Sequence, residues 1–184
     1  MKVVGLTGFA QSGKDTAAGF LVERGWKRLA FADILRQSLY NLNPIVSTLT
    51  QQGRDPMVMR VQDIVDGIGW DRAKVEFPEI RQLLQRFGTE VGRELYGENF
   101  WVDRVLAQMN HNHNYVITDV RFPNELAAVR SVDGLVFKIQ RPGNKPANSH
   151  ASEDIDGLHV DGVIPNVGTL DQFRAAVLEA VGLN

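Results

Sequence analysis

Near its start the chain carries Gly8-Phe9-Ala10-Gln11-Ser12-Gly13-Lys14, a G-x-x-x-x-G-K spacing. Glycines at that spacing let consecutive backbone N–H groups point inward at phosphate oxygens, and the lysine reaches the β- and γ-phosphates. A following helix adds the positive end of its dipole, so Gly8, Gln11, Ser12, Gly13 and Lys14 form a candidate polyphosphate cradle. Position 15, where the general pattern has Ser or Thr for Mg²⁺, is Asp15, and the hydroxyl follows at Thr16. Asp15 could approach Mg²⁺ directly or through water, could orient the attacking nucleophile, or could serve only as a first-turn acid favoured by the dipole.

Other residues suited to chemistry lie further along. Asp119 ends the apolar run Tyr115-Val116-Ile117-Thr118 and is a candidate ligand for Mg²⁺ and its waters. Arg121 could reach a phosphate; alternatively Asp119 caps the next segment and Arg121 pairs with Glu125. Arg141 opens a polar loop that also holds Lys145, His150 and Glu153. Such a loop suits a lid that brings cations over a transferring phosphoryl group and excludes water, or is simply a solvated surface loop. Arg81, Gln85 and Arg93, four and eight apart, could share a helix face and meet an anionic acceptor, or form surface salt bridges. Trp101 could stack on a base or fill the core. His111 and His113 lack further ligands at metal spacing, so they read as solvated histidines.

The elements that must position these groups alternate between strand and helix. Residues 2–7 read as a strand buried on both faces, and 15–24 as a helix stopped by Gly25. A second strand follows at 26–32, and a helix capped by Asp33 runs to Asn43-Pro44. The pattern breaks up over 43–77, with a turn at 51–56, and reads as an insertion. Helical spacing returns over 79–95 and 99–110. Residues 115–118, 135–139 and 160–164 read as strands, 124–132 as a connecting helix, and 170–181 as a final helix capped by Thr169. This alternation implies right-handed crossovers and a parallel sheet covered on both faces.

Composition bounds the reading. The chain has 184 residues, which suits one domain, with 43% hydrophobic and 23% charged residues, as in soluble globular proteins. A formal net charge of -2 gives no general attraction to a nucleic-acid polymer or an anionic membrane. With no cysteine there is no disulfide framework, thiolate nucleophile or Cys-ligated zinc. Neither a signal peptide nor a membrane-spanning run is legible, and cytoplasmic residence is the expectation.

Taken together, the residues resemble the deoxynucleoside monophosphate kinase family of tailed bacteriophages, a branch of the P-loop nucleoside monophosphate kinases. The resemblance rests on Ser12-Gly13-Lys14-Asp15-Thr16, on Leu84-Gln85-Arg86-Phe87-Gly88-Thr89-Glu90 with Gly92-Arg93, and on Trp101-Val102. It continues through Asp119-Val120-Arg121-Phe122-Pro123-Asn124-Glu125, Arg141-Pro142, His150-Ala151-Ser152-Glu153, Asn166 and Gly168-Thr169-Leu170. These blocks follow one another along nearly the whole chain; only residues 43–78 carry none of them.

The resemblance implies a three-layer α/β P-loop kinase fold spanning 1–184, with a central parallel sheet, a helical acceptor-binding insertion at about 43–112 and a lid loop at about 141–157. It implies ATP-dependent, Mg²⁺-dependent phosphorylation of a deoxynucleoside 5′-monophosphate, often by a homodimer, in the host cytoplasm if the chain is phage-encoded. Carried over by position, Lys14 and the loop amides hold ATP, while Asn166, Gly168 and their neighbours to Leu170 border the adenine. Lys14, Asp15, Arg121 and Arg141 are the catalytic candidates, and Asp15, Thr16 and Asp119 the metal candidates. Arg81, Gln85, Arg93, Trp101 and Glu153 are candidates for the acceptor. Asp15 matches the family's own pattern. Two other readings remain at this stage: a P-loop kinase for another small molecule, such as dephospho-coenzyme A, and a regulatory module that binds ATP without catalysis. A translation-type GTPase would need an Asn-Lys-x-Asp segment, which the sequence lacks.

Overall fold

The computed structural model describes residues 1–49, 57–144, 155 and 157–183. It divides into two compact units, Met1–Phe31 with Val102–Asn184, and Ala32–Trp101.

The first unit is built on a five-stranded sheet of β1 (Val3–Thr7), β2 (Lys27–Leu29), β5 (Tyr115–Ile117), β6 (Leu135–Gln140) and β7 (Gly162–Pro165), in the order β2-β5-β1-β6-β7. All neighbours pair in parallel, with Val3 opposite Tyr115 and Val4 opposite Leu135 on the two sides of β1. All five residues of β1 are buried, the reason it reads as a continuous apolar run rather than an alternating one. On one face Val4, Leu6, Val116, Ile139 and Ile164 pack against Ala17, Phe20 and Leu21 of α1 (Lys14–Val22) and Phe173 and Val177 of α7 (Leu170–Ala180). On the other, α6 (Pro123–Ser131) lies over β1 and β6. Gly5 is needed there: a Cβ would fall 2.9 Å from Val120 Cγ2 and 3.1 Å from Val136 Cγ2. The result is three layers, with β1 at the centre, where chain connections leave toward opposite edges of the sheet; that is where α/β sheets bind ligands.

The second unit contains most of α2 (Phe31–Leu42), the antiparallel hairpin β3 (Ile45–Leu49) and β4 (Met57–Arg60), α3 (Val61–Glu76), α4 (Pro78–Arg86) and a π-helix, Phe87–Leu95. Leu39, Val61, Ile64, Ala73 and Ile80 form its core. Helix α5 (Phe100–Leu106) begins in this unit.

Several elements differ from the sequence reading. The segment read as an irregular insertion over 43–77 holds a hairpin and a helix. The helix was hidden by Gly67 and Gly69, and Gly69, at φ 75°, does interrupt α3. The turn expected at 51–56 lies outside the described residues. The single helix expected over 79–95 changes hydrogen-bonding pattern at Phe87, a switch that no residue type in the sequence marks. Among the described residues no helix is long and apolar enough to cross a membrane.

Candidate active site

The phosphate loop follows β1 directly and ends on α1, whose N-cap is Gly13 in a left-handed conformation, φ 103°. Gly8 has φ 148°, and a Cβ there would lie 2.6 Å from both the Ile139 carbonyl and Ser12 Oγ. Gln11 also takes a positive φ, 60°, which strains a non-glycine residue and marks a loop over-determined by its surroundings. Lys14 Nζ folds back over the cradle and donates to the carbonyls of Gly8 (2.6 Å) and Phe9 (2.8 Å). Ser12 Oγ and Thr7 Oγ1 are buried and, among the described residues, unpartnered. A buried hydroxyl without a partner costs about 1–3 kcal/mol, so hydrogen-bonding capacity is left unused beneath the loop.

A second segment fixes this loop from across the sheet. Asn166, just past β7, donates its backbone N–H to the Gln140 carbonyl (2.8 Å) and its Nδ2 to the Ser12 carbonyl (2.8 Å). Its amide lies so close that a Cβ on Gly13 would fall 2.5 Å from Nδ2, so that glycine is required twice, by φ and by approach. Thr169 then caps α7 through a reciprocal box with Gln172: Thr169 N–H donates to Oε1 at 2.9 Å and Gln172 N–H to Oγ1 at 3.3 Å. From the segment after β6, Asn144 Nδ2 donates to the Ala10 carbonyl (2.9 Å), and an Arg141 guanidinium nitrogen lies 3.5 Å from the Gln11 carbonyl.

These segments enclose a cavity of about 550 Å³. Gln11, Ser12, Gly13, Lys14, Asp15, Thr16, Arg141, Asn166 and Gly168 all line it, so nine of the residues singled out from the sequence come together, with Gly8 directly beneath Lys14. Asp15 and Thr16 are exposed on the first turn of α1, a carboxylate and a hydroxyl suited to a hard cation beside phosphate.

Asp119 and Arg121 are not among the cavity's lining residues. Asp119 Oδ1 accepts the Phe31 N–H (2.9 Å) at the start of α2, so it caps a helix distant in sequence. The Arg121 backbone N–H donates to Glu125 Oε2 (2.7 Å), which also takes the Phe122 N–H (3.1 Å). Glu125, 3% exposed, therefore anchors the start of α6.

Arg81, Gln85, Arg93 and Trp101 belong to the second unit. Arg81 and Gln85 are exposed on α4 and Arg93 is half-buried on the π-helix. Trp101 is only 5% exposed; its indole N–H donates to the Gly88 carbonyl (2.9 Å), and its ring meets Phe87 and Phe100 edge-on. The core placement, of the two that the sequence left open, is the one described. Glu153, with Lys145 and His150, lies outside the described residues.

Two contributors, Asn144 and Phe173, escaped sequence reasoning, as did the contact through which Asn166 acts. Asn144 is an unremarkable loop residue until it meets Ala10, and the Asn166 amide meets a partner 154 positions away. Phe173 reads as core by helical spacing and is core, yet it also floors the cavity, edge-on to Phe20 at 5.8 Å. Spacing gives no signal for any of these contacts.

Comparison with known proteins places this arrangement. The model of the family described as deoxynucleotide monophosphate kinase matches residues 74–177, more than half of the chain. A protein of Acanthamoeba polyphaga mimivirus that carries the provisional name of deoxynucleotide monophosphate kinase is 28% identical over 98% of this chain and 96% of its own. The deoxynucleotide monophosphate kinase of Enterobacteria phage T4 is 30% identical over 53% of this chain, a segment equal to 43% of the phage protein. Among solved structures, dephospho-CoA kinase from Campylobacter jejuni is similar at a TM-score of 0.49 and 15% identity, covering 99% of this chain and 96% of that one. The family match begins after the phosphate loop, which rests on its own geometry.

Proposed function

The chain belongs to the deoxynucleotide monophosphate kinase family, and on that premise we propose that it transfers the γ-phosphoryl group of ATP to a deoxynucleoside 5′-monophosphate. The observation that carries this reading is the Gly8–Thr16 cradle with Lys14 over it, opening on a cavity bordered by Asn166 to Leu170. ATP would place its phosphates on the loop amides and its adenine along Gly168, Thr169 and Leu170. Lys14 Nζ would then exchange the Gly8 and Phe9 carbonyls for β- and γ-phosphate oxygens, a swap of neutral for anionic acceptors that strengthens each bond.

In the transfer itself an oxygen of the acceptor's phosphate forms a bond to the γ-phosphorus while the bond to the β–γ bridging oxygen breaks, and ADP leaves with that oxygen. The acceptor oxygen is already anionic, so positioning and charge neutralisation matter more than a general base. Lys14 supplies one fixed positive charge, and Arg141 and Arg121 are proposed to supply others. Asp15 and Thr16 are the oxygen donors at the cavity that would hold Mg²⁺, with Asp119 a further candidate. That ion would neutralise β- and γ-phosphate charge when bound. Arg81, Gln85 and Arg93 are proposed to bind the acceptor, and the 141–157 loop to exclude water once both substrates are in place.

The test is a coupled assay of ADP release with all four deoxynucleoside monophosphates and their ribose counterparts under identical conditions. Acceptor-dependent ADP release with at least one deoxynucleotide is expected. ADP release that no nucleoside monophosphate stimulates would overturn the reading and favour the regulatory module or another small-molecule kinase.

A further inference from the structure

A regular helix would not put Arg81, Gln85 and Arg93 on one face. Each α-helical residue turns about 100°, so a row of every fourth residue winds forward by about 40° per step. Arg93, three such steps after Arg81, would point about 120° away from it. The chain, however, is α-helical only to Arg86 and π-helical from Phe87 to Leu95. With i→i+5 bonds a π-helix has roughly 4.4 residues per turn, about 82° per residue, so its four-residue steps wind backward by about 30°. The two drifts nearly cancel. Arg93 returns to within about 10° of Arg81, with Gln85 and Thr89 within about 40° of both.

Burial gives an independent check. Ile80, Gly88 and Gly92 are buried and Leu84 is half-buried, a second four-residue row directly beside the first. On an unbroken α-helix its last member would have left the core by the same 120° or so. Instead Gly88 backs onto Leu35 and Gly92 onto Trp101. In the polar row Arg81, Gln85 and Thr89 are exposed and Arg93 is half-buried.

The π pattern has an identifiable holder. Trp101 Nε1 donates to the Gly88 carbonyl at 2.9 Å, taking up an acceptor at the first turn of the π-helix. Gly92 makes room for it: a Cβ there would lie 2.2 Å from that same nitrogen. The indole is fixed in turn by Phe87 (5.8 Å) and Phe100 (4.8 Å).

We propose that Trp101 is a positioning residue that latches Phe87–Leu95 in the π register, and that this register adds Thr89 to an acceptor-binding row of Arg81, Gln85, Thr89 and Arg93. Two guanidiniums, an amide and a hydroxyl in line suit a nucleoside monophosphate, whose phosphate needs cations and whose sugar and base offer donors and acceptors. The inference rests on the acceptor reading given above.

The experiment is initial-rate kinetics with acceptor and ATP varied in turn, on the full chain and on W101F, T89V, E90Q and R93A. W101F keeps an aromatic ring at the position but loses the five-membered half of the indole together with its N–H donor. It and T89V are expected to raise the acceptor KM by roughly tenfold, the loss of one hydrogen bond to a charged or buried group, with the ATP KM unchanged. E90Q, adjacent to Thr89 but turned about 80° off the row, is expected to leave both KM values unchanged. If R93A raises the acceptor KM while W101F and T89V leave it within twofold, the latch and the row are overturned and the acceptor reading survives. If R93A leaves it unmoved, the acceptor reading itself has failed. Thr89 is exposed, so T89V with E90Q decides the placement even if W101F does not fold.

Discussion

The two units present their candidate polar groups by different physical means. In the first, the groups that would meet phosphate are mainly backbone amides, aimed by glycines at φ 148° and 103° and held by a strand with all five residues buried. In the second, the candidate groups are side chains on a helix, and the core beneath them is small. A backbone cradle tolerates almost no local change, because every amide is fixed by its neighbours' dihedrals. A side-chain row tolerates truncation of one member but depends on helical register. The first arrangement suits a part common to all nucleoside triphosphates; the second suits the part that distinguishes one acceptor from another.

Variants can break or sharpen that contrast. The largest effect is expected for K14A, a loss of about 10²–10³ in kcat from removing one preorganised charge, with unchanged circular dichroism and melting temperature. Near-normal turnover would overturn the assignment of the phosphoryl transfer to this cradle. G13A comes next. The new Cβ meets the Asn166 amide and must adopt a strained φ, so stability should fall by about 1–3 kcal/mol and the ATP KM should rise while the acceptor KM holds. Urea denaturation with the same kinetic split checks it, and a change confined to the acceptor would reverse the roles given to the two units.

E125A should cost about 1–2 kcal/mol, since the Arg121 and Phe122 amides lose their shared acceptor at the start of α6. Loss of turnover beyond that destabilisation would tie the Asp119–Arg121 edge to chemistry. The smallest effect is expected for R86A. Arg86 and Glu90 form an exposed 3.3 Å ion pair off the polar row, worth less than about 0.5 kcal/mol, and neither KM should move.

The legible parts of this molecule are those whose cause is local. Gly8, Gly13 and Lys14 could be read because a cradle of consecutive amides needs consecutive residues, and β1 and β5 because strands buried on both faces must be continuously apolar. Helices α6 and α7 were placed to within about two residues, helped by Pro123 and the Thr169 cap. The hairpin β3–β4 was not, because Ile45, Met57 and Val58 are exposed hydrophobics that give no alternation. Trp101 could not be assigned between base and core, since an aromatic at helical spacing fits both.

What the sequence by itself determined is the phosphate loop, the alternation that builds a parallel sheet around it, and the identity of the candidate polar residues. Tertiary structure alone decided that Asn166 tethers Ser12, that Asp119 caps α2, and that the helix bearing Arg93 changes to a π register against Trp101. The physical reason is range. Dihedral preference and side-chain period act over a few residues and are written in the chain, whereas a hydrogen bond between residues 88 or 154 positions apart exists only once the layers have packed.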